Sequence, residues 1–150
     1  MRTFSRRGAI GLVVVLLATP VIDAQTGPAG DTSRFVGTWR LVSATQTGIM
    51  IYDSLGNMAA QVMPNRERRK YAGSEPTPAE AKDAITGYLA YFGTYSVDEQ
   101  ARIVTHHRKG NINPGQVGDD VMRNYVFESN DRLVLTPAGS TNKIVWERAR

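Results

Sequence analysis

Segment after segment of this chain alternates apolar and polar side chains at every second position, and that period restricts the fold more than any other feature. Successive residues of an extended strand point to opposite faces, so the alternation describes strands with one dry and one wet side. In residues 35–45 the set Phe35, Gly37, Trp39, Leu41 and Ser43 alternates with Val36, Thr38, Arg40, Val42 and Ala44, which turns Trp39 and Leu41 inward. Residues 49–52 and 57–63 are two further apolar runs, joined by Asp53-Ser54-Leu55-Gly56, a tight-turn sequence whose Gly56 can take positive φ. Residues 86–97 are rich in aromatics, and 103–109 fold back on them through a turn near Asp98-Glu99-Gln100. Segments 121–128, 132–136 and 142–148 bring the expected strands to eight. Thr77-Pro78-Ala79-Glu80 has the form of a capping box with proline at the first helical position, which predicts one short helix over 78–84.

Eight antiparallel strands joined mostly by short turns are best accommodated by an all-β up-and-down barrel, because closure removes the unpaired edges through which strands aggregate. A two-sheet sandwich is the alternative. An interior of this size is either filled with side chains or holds one small ligand, so closure by itself leaves the function open. The 150 residues suffice for one domain, and the absence of cysteine leaves stability to packing and excludes thiolate chemistry. Hydrophobic residues at 41% and charged residues at 21% exclude the disordered and collagen-like classes.

The first residues have a different character. Arg2, Arg6 and Arg7 precede an apolar run over 9–18, and a polar stretch ends at the small residue Ala24, the order of a secretory signal peptide over 1–24. The run is short of the ~20 residues needed to span a bilayer, so no stable membrane span is expected after processing. Ser5-Arg6-Arg7 resembles the start of a twin-arginine leader. The expected destination is the periplasm or the exterior. Residues 25–31, rich in Gly, Pro and small polar side chains, read as a flexible arm, and 32–150 as the barrel domain. Three arginines against Asp23 in the leader account for half of the net charge of +4, so no nucleic-acid partner is expected. The basic stretch Arg66, Arg68, Arg69 and Lys70 reads as a solvated loop.

Several segments, taken together and in order, resemble a known family. Phe35-Val36-Gly37-Thr38-Trp39-Arg40-Leu41 looks like the Gly-x-Trp opening strand of lipocalin-related barrels. Ile51-Tyr52, Met58-Ala59-Ala60-Gln61-Val62-Met63, residues 87–95, Val104-Thr105-His106-His107, Asn113-Pro114, Val117-Gly118 and Val145-Trp146-Glu147-Arg148 resemble the lipocalin-like domain family of bacterial and fungal proteins. The resemblance implies a calycin-type barrel and, for most members, no established biochemical role. It also implies a structural trio: in lipocalins an arginine of the last strand stacks across the opening-strand tryptophan, and here Gly37, Trp39 and Arg148 match. The basic loop 66–70 departs most from the family pattern.

The residues that can carry chemistry are few. His106 and His107 are the only histidines, and as strand neighbours they point to opposite faces, so they do not chelate one metal together. One of them faces inward, as a hydrogen-bonded barrel residue or as an acid/base group. Tyr91, Tyr95, Tyr125 and Trp146 offer flat surfaces with polar tips, suited both to core packing and to a pocket. Arg123 shares the phase of Tyr125 and Phe127, which places a guanidinium on the apolar side, where it invites an anionic ligand or an internal carboxylate. Gln61 is a further pocket candidate. No Gly-x-Ser-x-Gly elbow, readable Ser/His/Asp spacing, phosphate loop or dinucleotide fingerprint is present, and no cofactor or metal is expected. The expected function is an exported barrel that binds a small, partly apolar molecule between these side chains. The alternatives are a barrel enzyme of isomerase or cyclase type, using a histidine or tyrosine for proton transfer, and a solid structural barrel without ligand.

Overall fold

The computed structural model describes residues 30–150; the leader over 1–24 and residues 25–29 of the arm lie outside the described residues. The strands are β1 (Gly37–Val42), β2 (Gln46–Tyr52), β3 (Asn57–Pro64), β4 (Leu89–Asp98), β5 (Ile103–Asn111), β6 (Asp120–Ser129), β7 (Arg132–Pro137) and β8 (Ile144–Arg148). They pair in sequence order as a closed antiparallel barrel, and β8 returns to β1 with Trp39 opposite Arg148 and Leu41 opposite Trp146. The sandwich alternative is thereby excluded. Because each strand pairs with its chain neighbours, successive connections fall at alternate ends. One end has the tight turns after β2, β4 and β6; the other has the connections 43–45, 65–88, 112–119 and 138–143, the last three longer than any of those turns.

The tight-turn end is plugged. The first strand was expected to include Phe35, but residues Asp31–Phe35 form a short helix, α1, and the strand starts only at Gly37. Gly37 has φ 135°, a conformation that glycine alone takes without strain, and an added Cβ there would lie 2.5 Å from the Arg148 guanidinium. The bend swings Phe35 into the barrel mouth, where its ring meets Tyr52, Tyr125 and Phe127 edge-on at 5.3, 5.0 and 5.0 Å. Trp39 donates its indole N–H to the Phe35 carbonyl at 2.8 Å. Arg148 lies 4.3 Å over the Trp39 ring and donates to the carbonyls of Val36 and Arg34, both at 2.8 Å. Asp31, the first residue of α1 rather than part of a free arm, accepts from Arg34 and Tyr125 and pairs with Arg102. Burial pushes its carboxyl up, but these hydrogen bonds and positive charges outweigh burial and hold it below the usual range. Thr32 completes the clasp, donating its N–H and hydroxyl to Glu99 at 2.8 and 2.7 Å.

At the other end, the helix α2 (Pro78–Ile85) forms inside the connection 65–88. Its capping box is present: the Thr77 hydroxyl accepts from the Glu80 N–H at 3.3 Å, and the Glu80 carboxylate accepts from the Thr77 N–H at 2.8 Å. None of its residues is buried. It is held from the side by Arg66, paired with Asp83, and by Arg68, which donates to the Ala84 carbonyl at 2.6 Å. This end of the barrel therefore lacks the packed aromatic plug of the other.

Candidate functional site: an unneutralised donor cluster inside the barrel

Strand phase decides which side chains reach the interior. Tyr91, Gly93 and Tyr95 point inward from β4, Val104, His106 and Arg108 from β5, Arg123, Tyr125 and Phe127 from β6, and Ile144 and Trp146 from β8. Gly93 is required by the backbone and not by a ligand. β4 and β5 lose register between Phe92 and Gly93, and an added Cβ would lie 1.9 Å from the His107 carbonyl oxygen.

His106 is the inward histidine and is fully buried. The Tyr52 hydroxyl lies 2.6 Å from its Nε2 and the Tyr91 hydroxyl 2.8 Å from its Nδ1. Burial first, then the positive charges of Arg123, Arg108 and His107, hold its pKa well below the ordinary 6.5, so the ring is neutral. Burial likewise pushes the Tyr52 phenol well above its usual value.

A neutral imidazole has one donor and one acceptor nitrogen. Two phenols and one imidazole carry three protons but share only two hydrogen bonds, so one O–H is left over. Tyr52 is closed in by Phe35 and Tyr95, and His106 is its one hydrogen-bond partner among the described residues. The arrangement that wastes least donates the Tyr52 proton to Nε2 and the His106 N–H, on Nδ1, to the Tyr91 oxygen. Tyr91 then accepts from His106 and, at 3.4 Å, from Arg123 Nη2, and its own proton has no acceptor within the group.

Two guanidinium groups meet at Tyr91. Arg123 reaches its hydroxyl, and Arg108 lies 4.9 Å from the centre of its ring. Arg108 is only 9% exposed, donates from Nη1 to Gln116 at 3.1 Å, and leaves its buried Nε–H without a partner among the described residues. Neither arginine forms an ion pair among the described residues. The indole N–H of Trp146, 4% exposed, is also without a partner among the described residues. Buried donors without acceptors cost roughly 1–3 kcal/mol each, more when charged.

The residues singled out in the sequence therefore separate. Tyr91 and Arg123 come together with His106, and Trp146 faces the interior. Tyr95 and Tyr125 belong to the plugged end, their hydroxyls committed to the Asp53 carbonyl at 2.9 Å and the Asp31 carboxylate at 3.1 Å. Gln61 does not reach the interior. It lies on the outer face, accepts from the Tyr88 hydroxyl at 3.1 Å, and lines a shallow concavity of about 320 Å³ with Ile49 and Met63. A larger, open concavity of about 930 Å³ lies between residues 66–72 and α2, outside the barrel. Arg108 and Tyr52 were not anticipated, although both were readable from phase: Arg108 continues Val104 and His106, and Tyr52 continues Met50.

His107 faces out and makes a row that the spacing did not reveal. Its Nε2 is 2.9 Å from Ser96 Oγ and its Nδ1 2.7 Å from Asp120 Oδ1. The connectivity is that of a Ser-His-Asp relay. Ser96 and Asp120, however, are exposed and the His107 side chain is 37% exposed, all on the convex side of the sheet, which offers no enclosure to orient a substrate or exclude water.

No curated protein matches the chain in a sequence search. A model of the lipocalin-like domain matches residues 44–149, from just beyond β1 through the end of β8. With the closed eight-stranded barrel, this match establishes that the chain belongs to the lipocalin-like domain family.

Proposed function

We propose that this protein is an exported carrier that holds one small, partly apolar molecule in the half of the barrel opposite the α1 plug, against Tyr91, Arg108, Arg123 and Trp146. The observation that carries the proposal is the set of buried donors without acceptors among the described residues, Arg108 Nε–H and Trp146 Nε1–H, in a barrel interior whose core cluster is otherwise aromatic and aliphatic and whose other buried polar side chain, His106, is hydrogen-bonded on both nitrogens. A solid structural barrel gains nothing from such groups, since apolar residues of similar volume would pack there without desolvation cost. An occupant supplying acceptors removes the cost. Export rests on the basic start and apolar run of residues 1–24, and sequencing the N-terminus of the protein from its host checks it by a cut after Ala24.

Native mass spectrometry of the protein purified from its own host is the direct test. The expected result is a mass above that of the chain which disappears on denaturation. An empty barrel in repeated preparations counts against the carrier.

The Tyr52–His106–Tyr91 row also favours a second reading, an isomerase or cyclase in which Tyr91 gives its spare proton to one position of a bound substrate and takes a proton back from another, its oxygen held meanwhile by the His106 N–H and Arg123, so that the step is proton-neutral. This reading requires that a compound found in the barrel change on incubation, and that His106→Gln abolish the change.

A further inference from the structure

We infer, building on the carrier proposal, that the occupant is a carboxylate: an apolar body with one anionic head group received by Arg108, Arg123 and the Tyr91 hydroxyl. The inference starts from a count of donors and acceptors. Around Tyr91 the barrel gathers the two guanidinium groups, the leftover phenol proton and a neutral histidine already committed on both nitrogens. Against these stands one neutral acceptor, the Gln116 side-chain oxygen, which is shared with Asn111. No carboxylate of the described residues pairs with either arginine.

A buried positive charge is costly unless it is paired; Arg108 is buried, Arg123 is partly buried, and both stand against the same tyrosine, so their like charges oppose each other as well. A neutral apolar occupant leaves this charge where it is. A carboxylate has two oxygens and about four lone-pair positions, enough to accept from both guanidinium groups and the phenol at once. The cluster differs from an ordinary buried ion pair in that its positive half is built into the barrel and its negative half is absent from the described residues.

Aliphatic side chains are on hand for the apolar part of the occupant. Leu41, Val62, Leu89 and Ile144 are partly buried residues packed against the core, and all four belong to strand segments nearest the end without the plug. A chain or ring system lying along them directs its head group inward and its tail toward the mouth.

Matched pairs test this on the full chain: decanoate against decanol, and naphthoate against naphthol, titrated by calorimetry and by tryptophan fluorescence near neutral pH. The expected result is that each acid binds at least tenfold more tightly than its alcohol. Arg108→Met and Arg123→Met should each lower acid affinity roughly ten- to a hundredfold and leave alcohol affinity within about threefold, the size expected for a charge-assisted hydrogen bond. Alcohols that bind as well as or better than the acids overturn the carboxylate assignment while leaving an apolar carrier standing. Failure of all four compounds to bind overturns the carrier proposal with it. Should a methionine variant not fold, the wild-type denaturation midpoint serves instead: the acids should raise it and the alcohols should raise it less, and equal shifts overturn the assignment.

Discussion

His106 shows how one buried side chain makes folding stability sensitive to mild acid. Burial and the two neighbouring arginines depress its pKa in the folded state, whereas the unfolded chain titrates near 6.5. Between those two values the unfolded chain binds a proton that the folded chain refuses, so stability is complete above about pH 6.5 and is lost as pH falls below it. The slope approaches roughly 1.4 kcal/mol per pH unit. His106→Gln should lower stability at neutral pH, because it breaks the hydrogen bonds to Tyr52 and Tyr91, yet flatten the loss between pH 6.5 and 5. Urea denaturation of both proteins across that range measures the difference, and parallel curves rule out His106 as its source. Strand phase made this residue partly legible: one of two adjacent histidines had to face inward, and Val104 in phase with His106 shows which. The same phase argues against Gln61, since Met58, Ala60 and Val62 take the inner side of β3 and leave Gln61 outside. What phase does not contain is height along the barrel axis. Tyr91 and Tyr95 share a face, and only the register of β4 against β5, shifted at Gly93, sends one to the arginines and the other to the plug.

At the scale of elements, α1 decides which end of the barrel is closed. Its sequence is too short for a periodic pattern, and Phe35 continues the alternation of β1, so residues 35–45 read as one uninterrupted strand. The physical reason for the break lies elsewhere in the chain: Arg148 needs the space beside Gly37, and Tyr52, Tyr125 and Phe127 leave a ring-sized gap that Phe35 fills. α2 was legible because its signal is local, Thr77, Pro78 and Glu80 within four residues. These two helices therefore predict opposite outcomes. Phe35→Ala removes a fully buried ring from three edge-on contacts and should cost about 3–5 kcal/mol. Ile85→Ala in α2, at a side chain 57% exposed, should stay within about 0.5 kcal/mol. Equilibrium denaturation of the two variants beside the wild type decides it, and a mild Phe35→Ala would mean that α1 merely rests on the barrel.

For the molecule as a whole, closure was legible from eight alternating segments with short turns, because an open sheet of that length would expose two edges. Closure has a mechanical consequence. A break in the connection 65–88 divides the chain into a piece with α1 and β1–β3 and a piece with β4–β8, yet each piece remains bonded to the other along two seams. Six residue pairs join β3 to β4 and four join β1 to β8. Arg66, Arg68, Arg69 and Lys70 are exposed and lie in this connection, whereas most other basic residues sit within strands or tight turns. Limited trypsin treatment should therefore cut first within residues 66–70. The two fragments should then co-elute in size exclusion and keep the near-ultraviolet circular dichroism of the plug aromatics, separating only in denaturant. Nicked fragments that part in buffer would show that the seams are too weak to hold the barrel without the connection. Fragments that stay together but no longer bind a ligand held by the intact chain would place 65–88 over the mouth as part of the binding surface, and unchanged binding would confine recognition to the strands.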